Sequence, residues 1–177
     1  MIDELVFGSL SPLKGSDIKK LKEKFVTQFP SHESIADEFF NKKANVSTAK
    51  ANDRGKWIVL NNQILFFEDR NGNLIPHLKV LHKYPGLIPK IRCDQGAAKP
   101  ILRGADLMVG GVTDRKTEDY SDLKQHSVVG VYIGDLEPAI AVGYLEMTPE
   151  QLATESTGRA IVLFHVCGDD LWKNQQC

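Results

Sequence analysis

Between Tyr84 and Lys90 the chain meets Pro85, Gly86 and Pro89, and no regular element survives that density of breakers. What lies on the two sides differs in kind. Upstream, apolar residues recur at helical spacing and then form the two aromatic and β-branched runs of a hairpin; downstream, they fall in short β-branched runs separated by turns. A chain of 177 residues accommodates one domain or two small ones, and the punctuation predicts two, over 1–89 and 90–177. The expected fold class is α+β, with an α+β half followed by a compact β-rich half whose strands and short helices are spaced as in small barrels.

In the upstream half, Ile18, Leu21, Phe25 and Phe29 form one stripe of a lysine-rich helix, with Ser16 or Asp17 as its cap and Pro30 as its stop. Ile35, Ala36, Phe39 and Phe40 repeat the pattern in a shorter helix. The stretch NKKANVSTAKANDRG then has the composition of a loop. KWIVL and QILFFED flank Asn61 and Asn62, which tolerate the left-handed backbone of a tight hairpin. RNGN supplies another turn, and Pro76 is expected to open a helix through HLKVLHKY that turns Leu78, Leu81 and Tyr84 inward. Downstream, VVGVYIG, AIAVGYLEM and AIVLFHV read as strands, the first two joined by GDLEP, and Thr148 to Gln151 form a capping box with Pro149 at the first helical position.

The 22 Lys plus Arg nearly cancel the 23 Asp plus Glu, but the charges are segregated. Between Pro76 and Gly104, Lys79, Lys83, Lys90, Arg92, Lys99 and Arg103 face the single acid Asp94, and acids dominate beyond. Cys93, Cys167 and Cys177 are too scattered for a disulfide framework, which points to a reducing compartment. MIDELVFGSL is acidic where a signal peptide is basic, and no apolar run approaches the ~20 residues of a membrane span. A soluble, cytoplasmic protein without membrane contact is expected.

The stretch CDQGAAKPILRGADLMVGGV carries Gly96, Gly104, Gly110 and Gly111, yet no Gly-Lys-Ser/Thr follows for a nucleotide's phosphates, and the spacing is not that of a dinucleotide fingerprint. Cys93 reads as a small apolar filler rather than a nucleophile. His77 and His82, five apart, point in different directions on a helix; His165 sits in an apolar strand; Asp169, Asp170, Glu118 and Asp119 read as solvated turn carboxylates. No acid, base, nucleophile or metal set assembles, so the expectation is a protein that is not an enzyme, with no cofactor and no small-molecule substrate.

DQGAAKPILRGADLMVGGV resembles the first strand, short helix and second strand of a PUA domain, the RNA-binding pseudobarrel named for pseudouridine synthases and archaeosine transglycosylases. VVGVYIGDLEPAIAVGYLEMTPEQL and TGRAIVLFHVCGDDLW resemble the remainder of that fold. FVTQFP and ILFFEDRNGNLIPHLKVLHKYPGLIPK resemble the domain that precedes it in the malignant T-cell-amplified sequence family, also called translation machinery-associated proteins, and the similarity runs from Lys14 to Trp172. The resemblance implies an N-terminal pre-PUA α+β domain followed by a PUA β-pseudobarrel in a non-enzymatic translation factor. It implies pairing with density-regulated protein, contact with small-subunit rRNA and tRNA, and action in reinitiation, non-standard initiation and removal of deacylated tRNA during ribosome recycling. This chain departs from the family at Gly110, where proline is usual, at Pro100, where an apolar or aromatic residue is usual, and over 41–56, which matches poorly.

Beside the resemblance stands a physical account of the RNA surface. Gly96 and Ala97 turn the chain into a short helix, and Gly104 ends it in a left-handed cap, leaving bare backbone whose N–H groups suit phosphate. Lys99 and Arg103, four apart, project from one side of that helix, and Lys90 and Arg92 lie on the chain entering it, so that the four form a cationic rim. The competing account has the glycines serving only the fold and the cations only solubility. Other functions compatible with these residues are a ribosome-biogenesis PUA protein, an RNA-modifying enzyme and a pure protein-interaction module.

Overall fold

A computed structural model describes residues 8–41, 44–51, 55–115, 120 and 122–175. These fall into two compact units, one running to His77 and taking back Asn174 and Gln175, the other spanning Leu78–Lys173.

The first unit holds β1 (Ser11–Pro12), α1 (Gly15–Gln28), a 3-10 turn at Pro30–His32, α2 (Glu33–Phe39), β2 (Val46–Ala51), β3 (Gly55–Leu60), β4 (Gln63–Asp69) and β5 (Leu74–Pro76). The strands form one antiparallel sheet in chain order. Burial of the aromatic stripe organises its core: the ring of Phe25 lies 4.9 Å from that of Phe29 and 5.8 Å from those of Phe40 and Phe66, mostly edge to face. The hairpin turn has the expected hand, with φ of 49° at Asn61 and 64° at Asn62. The RNGN turn is held by Asp69, whose Oδ1 accepts from the N–H groups of Asn71 at 2.9 Å and Asn73 at 2.8 Å. Gln175 joins this sheet, its carbonyl accepting from Ile64 N–H at 2.9 Å.

Three local expectations are corrected here. The lysine-rich helix begins at Gly15 with Lys14 as N-cap and no side-chain cap, so Ser16 and Asp17 lie within its first turn. The stretch assigned to a loop contains β2, which pairs with β3 from Val46↔Leu60 to Ala51↔Gly55; residues 42–43 and 52–54 of it lie outside the described residues. Alanine, serine and threonine give β2 little strand signature of its own, and the open edge of β3 decides its conformation. Pro76 does not open a helix. It ends β5, opposite Phe66, at the sheet edge where its missing N–H costs no ladder bond.

The second unit starts with α3 (Leu78–Lys83), continues through β6 (Lys90–Cys93), α4 (Gln95–Leu102), β7 (Leu107–Met108), a 3-10 turn at Val109–Gly111, β8 (Val128–Ile133) and β9 (Ala141–Leu145), and ends with α5 (Pro149–Thr154), β10 (Arg159–Val166) and α6 (Asp170–Lys173). Strand order is β6-β8-β9-β10-β7, with β6 and β8 parallel and the other pairs antiparallel. A bridge from Cys93 to Val112 and the bond from Asp94 N–H to Gly111 carbonyl at 2.9 Å curl the sheet towards closure. One face supplies the core, with Ile91, Cys93, Val129, Val131, Leu145, Ile161 and Leu163 packed together. The capping box at α5 forms as expected, Gln151 N–H reaching Thr148 Oγ1 at 3.3 Å and Thr148 N–H reaching Gln151 Oε1 at 2.9 Å.

Packing divides the chain before α3, earlier than the proline punctuation. The apolar side of α3, with Leu78 and Leu81 fully buried, goes with the second unit, where His82 Nε2 lies 2.7 Å from Ala139 carbonyl and Tyr132 Oη donates to Pro85 carbonyl at 3.0 Å. Asp169 is not a solvated turn carboxylate: it accepts from Val166 N–H at 2.9 Å, Trp172 N–H at 2.8 Å and His165 Nδ1 at 2.8 Å. Burial pushes the His165 pKa down, outweighing the pull of Asp169, so a neutral ring donates its Nδ1–H. Burial alone raises the Asp169 carboxyl, but His165 and the two backbone donors outweigh it and hold the group below the usual range. Glu118 and Asp119 lie outside the described residues.

Candidate nucleic-acid interface

Helix α4 is short and owes its position to three contacts. Asp94 caps its start, with Oδ1 accepting from Ala97 N–H at 2.8 Å; Ile101 is buried in the core; and Ala97 faces Gly111 so closely that a Cβ there would stand 3.1 Å from Ala97 Cβ. Gly111 is therefore a close-approach glycine, required by packing. Gly104 is the conformational one: its φ is +91°, its N–H bonds to Ile101 carbonyl at 2.8 Å, and the left-handed cap expected at the end of the helix is in place. Gly110, where the family has proline, faces open space in a turn closed by Val112 N–H to Val109 carbonyl at 3.0 Å.

Pro100 is not near the helix start. It stands in the second turn of Gln95–Leu102, so the Gly96 carbonyl has no N–H four residues on to accept from, and at the exposed surface water can satisfy it.

The two ends of α4 differ in what they offer a ligand. At the N-terminal end the Asp94 carboxylate already occupies the place an anion would take: Oδ1 takes the Ala97 N–H and would lie 3.0 Å from a Cβ on Gly96, and Oδ2 would lie 3.8 Å from one on Gly111. The backbone at Gly96 and Ala97 is thus guarded by a negative charge. At the other end Lys99 and Arg103 are both exposed, one helical turn apart, and neither side chain has an acidic partner among the described residues. They stand where the negative end of the helix dipole favours cations, with Leu102, 45% exposed, between them in sequence.

Lys90 and Arg92 are not part of that group. They alternate with the core residues Ile91 and Cys93 along β6 and so face away from the core. Lys90 Nζ bonds Glu137 Oε2 at 2.8 Å and lies 5.0 Å from the Tyr132 ring centre. Arg92 donates to the Gly134 carbonyl, approaches Glu137 Oε1 at 3.7 Å and lies 6.0 Å from the same ring. The Lys90 hydrogen bond, then its charge, holds the Glu137 carboxyl below the usual range despite the opposing effect of desolvation. Burial and then Glu137 push the Tyr132 phenol up to about 12, so it remains a hydroxyl donor. Of the expected rim, the structure groups Lys99 and Arg103 with Gly104, and commits Lys90 and Arg92 to a structural cluster.

Two residues that govern this site carried little weight in the sequence. Asp94 directly precedes a helical run, a recognisable N-cap signal overshadowed by the glycines after it. Glu137 sits in the turn between β8 and β9, and no local pattern links it to Lys90, 47 residues away. Cys93 is a core residue whose thiol pKa is raised by burial and then by Asp94, the reverse of what a nucleophile needs.

Comparison with known proteins gives the fold and the family. A family model for a Pre-PUA-like domain matches residues 5–85, and one for the elF2D PUA domain matches 88–170. Translation machinery-associated protein 20 of Saccharomyces cerevisiae is 33% identical over 166 residues, covering 93% of this chain and 91% of that protein. The chain belongs to the malignant T-cell-amplified sequence and translation machinery-associated protein 20 family. Other members include the malignant T-cell-amplified sequence 1 homolog of Dictyostelium discoideum, 31% identical over 90% of this chain and 88% of its own length, and malignant T-cell-amplified sequence 2 of Homo sapiens, 32% identical over the same shares. Among solved structures, a hypothetical protein from Pyrococcus horikoshii OT3 superposes with a TM-score of 0.74 at 23% identity, over 94% of this chain and 99% of that one, and thus shares the fold. The chain thus carries a PUA domain, and several of its relatives are named as translation machinery-associated proteins.

Proposed function

We propose that the chain is a non-enzymatic translation factor that binds RNA of the small ribosomal subunit through the exposed side of α4, with Lys99 and Arg103 as its phosphate and base contacts and Gly104 as the bare backbone beside them. The observation that carries this reading is the pair of cations one turn apart, unpaired among described residues, on the surface of a PUA domain. Lysine meets phosphate as a point charge, and a guanidinium forks onto phosphate or lies flat on an unpaired base, which suits folded RNA better than a regular duplex. Gly96 and Ala97, beside the Asp94 carboxylate, position the helix, and Lys90 and Arg92 support the sheet from the other face.

The RNA-binding part is 90–177. Residues 1–89 bind a density-regulated-protein-like partner, and the pair works in the cytoplasm on reinitiation, non-standard initiation or release of tRNA after termination; this part rests on the family alone. The test is co-sedimentation of the full chain with purified small subunits over a salt series. Binding is expected to weaken steeply as salt rises, and Lys99→Glu with Arg103→Glu is expected to flatten the dependence by about two counterions. Unchanged binding by that double variant moves the RNA surface elsewhere.

A further inference from the structure

Serine or threonine precedes proline at two places in the chain, Ser11–Pro12 and Thr148–Pro149, and the fold treats the two hydroxyls in opposite ways. Thr148 Oγ1 is held as the N-cap of α5 by Gln151 N–H, and the residue three positions on is the uncharged Gln151. Ser11 and Pro12 form β1, an extended and exposed two-residue strand, and the residue three positions on is the exposed Lys14.

The surroundings of Ser11 are cationic. Ser11 pairs with Thr48, so its side chain stands on the face of the sheet that Thr48 shares with Lys50. Lys50 in turn pairs directly with Lys56 on β3, a like-charge juxtaposition that destabilises a sheet. Lys56 reaches Glu68 at 3.3 Å, but Glu68 also takes Lys24 at 2.7 Å. Lys14 and Lys50 have no acidic partner among the described residues. Lys24 and Lys56 therefore share the Glu68 carboxylate, Lys50 stands opposite Lys56 without an acid of its own, and a dianion on the Thr48–Lys50 face would relieve that excess of positive charge.

The strand is also lightly held. Its flanks are fixed by Gly8 N–H to Lys50 carbonyl and Leu13 N–H to Val46 carbonyl, both 2.9 Å, at the outer edge of the sheet, where local opening costs little. An exposed edge segment already extended, with proline next and a cation three on, has the form a protein kinase cleft accepts.

We propose that Ser11 is a phosphoacceptor for a proline-directed protein kinase that favours a basic residue three positions beyond the serine. In the transfer Ser11 Oγ bonds to the γ-phosphorus of ATP, the bond from that phosphorus to the β–γ bridging oxygen breaks, ADP leaves, and the hydroxyl proton passes to the kinase's base. The phosphoserine then lies on the same face as Lys50 and close in sequence to Lys14.

The test is incubation of the full chain with ATP and a purified kinase of that class, read by intact mass and peptide mapping, with a peptide of residues 8–17 as the reference substrate. One phosphate on Ser11 is expected, none on Ser11→Ala, an unchanged yield on Thr148→Ala, and a rate about fivefold lower on Lys14→Ala, as for loss of one surface charge contact. Transfer to Thr148 or elsewhere with Ser11 unmodified overturns the proposal. So does an unmodified full chain, whether or not the peptide is phosphorylated.

Discussion

Lys90 and Arg92 lie on a strand, two residues apart; Lys99 and Arg103 lie on the helix that follows, one turn apart. Charge type and chain neighbourhood are the same. The strand pair faces Tyr132 and Glu137, and its cations are consumed by a carboxylate, a carbonyl and an aromatic face within the second unit. The helix pair faces solvent with no acid in reach among the described residues. A positive stretch of sequence is thus two surfaces with different work: one holds the turn between β8 and β9 against β6, and the other remains available to a polyanion.

The contrast breaks most directly on RNA affinity. Reversing both charges at Lys99 and Arg103 is expected to weaken binding of a structured RNA by about thirtyfold, two phosphate contacts at roughly 1 kcal/mol each. Lys90→Ala with Arg92→Ala is expected to change it by less than about threefold. Fluorescence anisotropy at fixed salt reads both, and equal losses from the two pairs would erase the distinction drawn between them.

Stability is expected to respond in the opposite sense. Removing Lys90 and Arg92 strips the Tyr132 face and the Gly134 carbonyl of partners and is expected to cost about 1–2 kcal/mol in urea unfolding. Lys99→Ala with Arg103→Ala should stay within about 0.5 kcal/mol of wild type. Asp94→Ala sharpens the comparison between the ends of α4: it is expected to lower stability by about 1 kcal/mol through the lost cap. RNA affinity should hold or rise in that variant, because a carboxylate leaves the N-terminal end of α4.

The smallest effects belong to Glu137. Glu137→Gln releases Lys90 and Arg92 from their acid, and RNA affinity is expected to rise by less than about threefold at moderate salt. The same pairing has a pH signature. The Glu137 carboxyl titrates below its ordinary value of 4.5 in the folded chain. Its stabilisation is therefore present above that value and disappears as pH falls through the lower folded one. The gap between the thermal melts of wild type and the Lys90→Ala, Arg92→Ala variant should narrow on acidification from pH 4.5 downward, leaving the part due to Tyr132 and the Gly134 carbonyl.

Much of the fold is readable locally. Asn61 and Asn62 announce the hairpin because few other residues accept positive φ at both positions; Thr148, Pro149 and Gln151 announce α5 because each satisfies one requirement of a helix start; Gly104 announces the end of α4. Strands β8, β9 and β10 follow from short β-branched runs bounded by turns. What was hidden has a common cause. β2 is a strand because β3 offers it an edge, α3 goes with the second unit, where His82 meets the Ala139 carbonyl, and the Asp169 carboxylate is taken up because His165 and two backbone donors surround it. Each depends on a neighbour supplied by another part of the chain.

By itself, then, the order of residues settled the Asn61–Asn62 hairpin, both ends of several elements such as α5 and the close of α4, and that the chain has an α+β part and a β-rich part, since backbone restrictions and apolar patterning act over a few positions. Tertiary structure alone decided which cations are free and which are spent, because a charge is neutralised by whatever folds up against it. For Lys90 that partner lies 47 residues along the chain, beyond the reach of any local pattern.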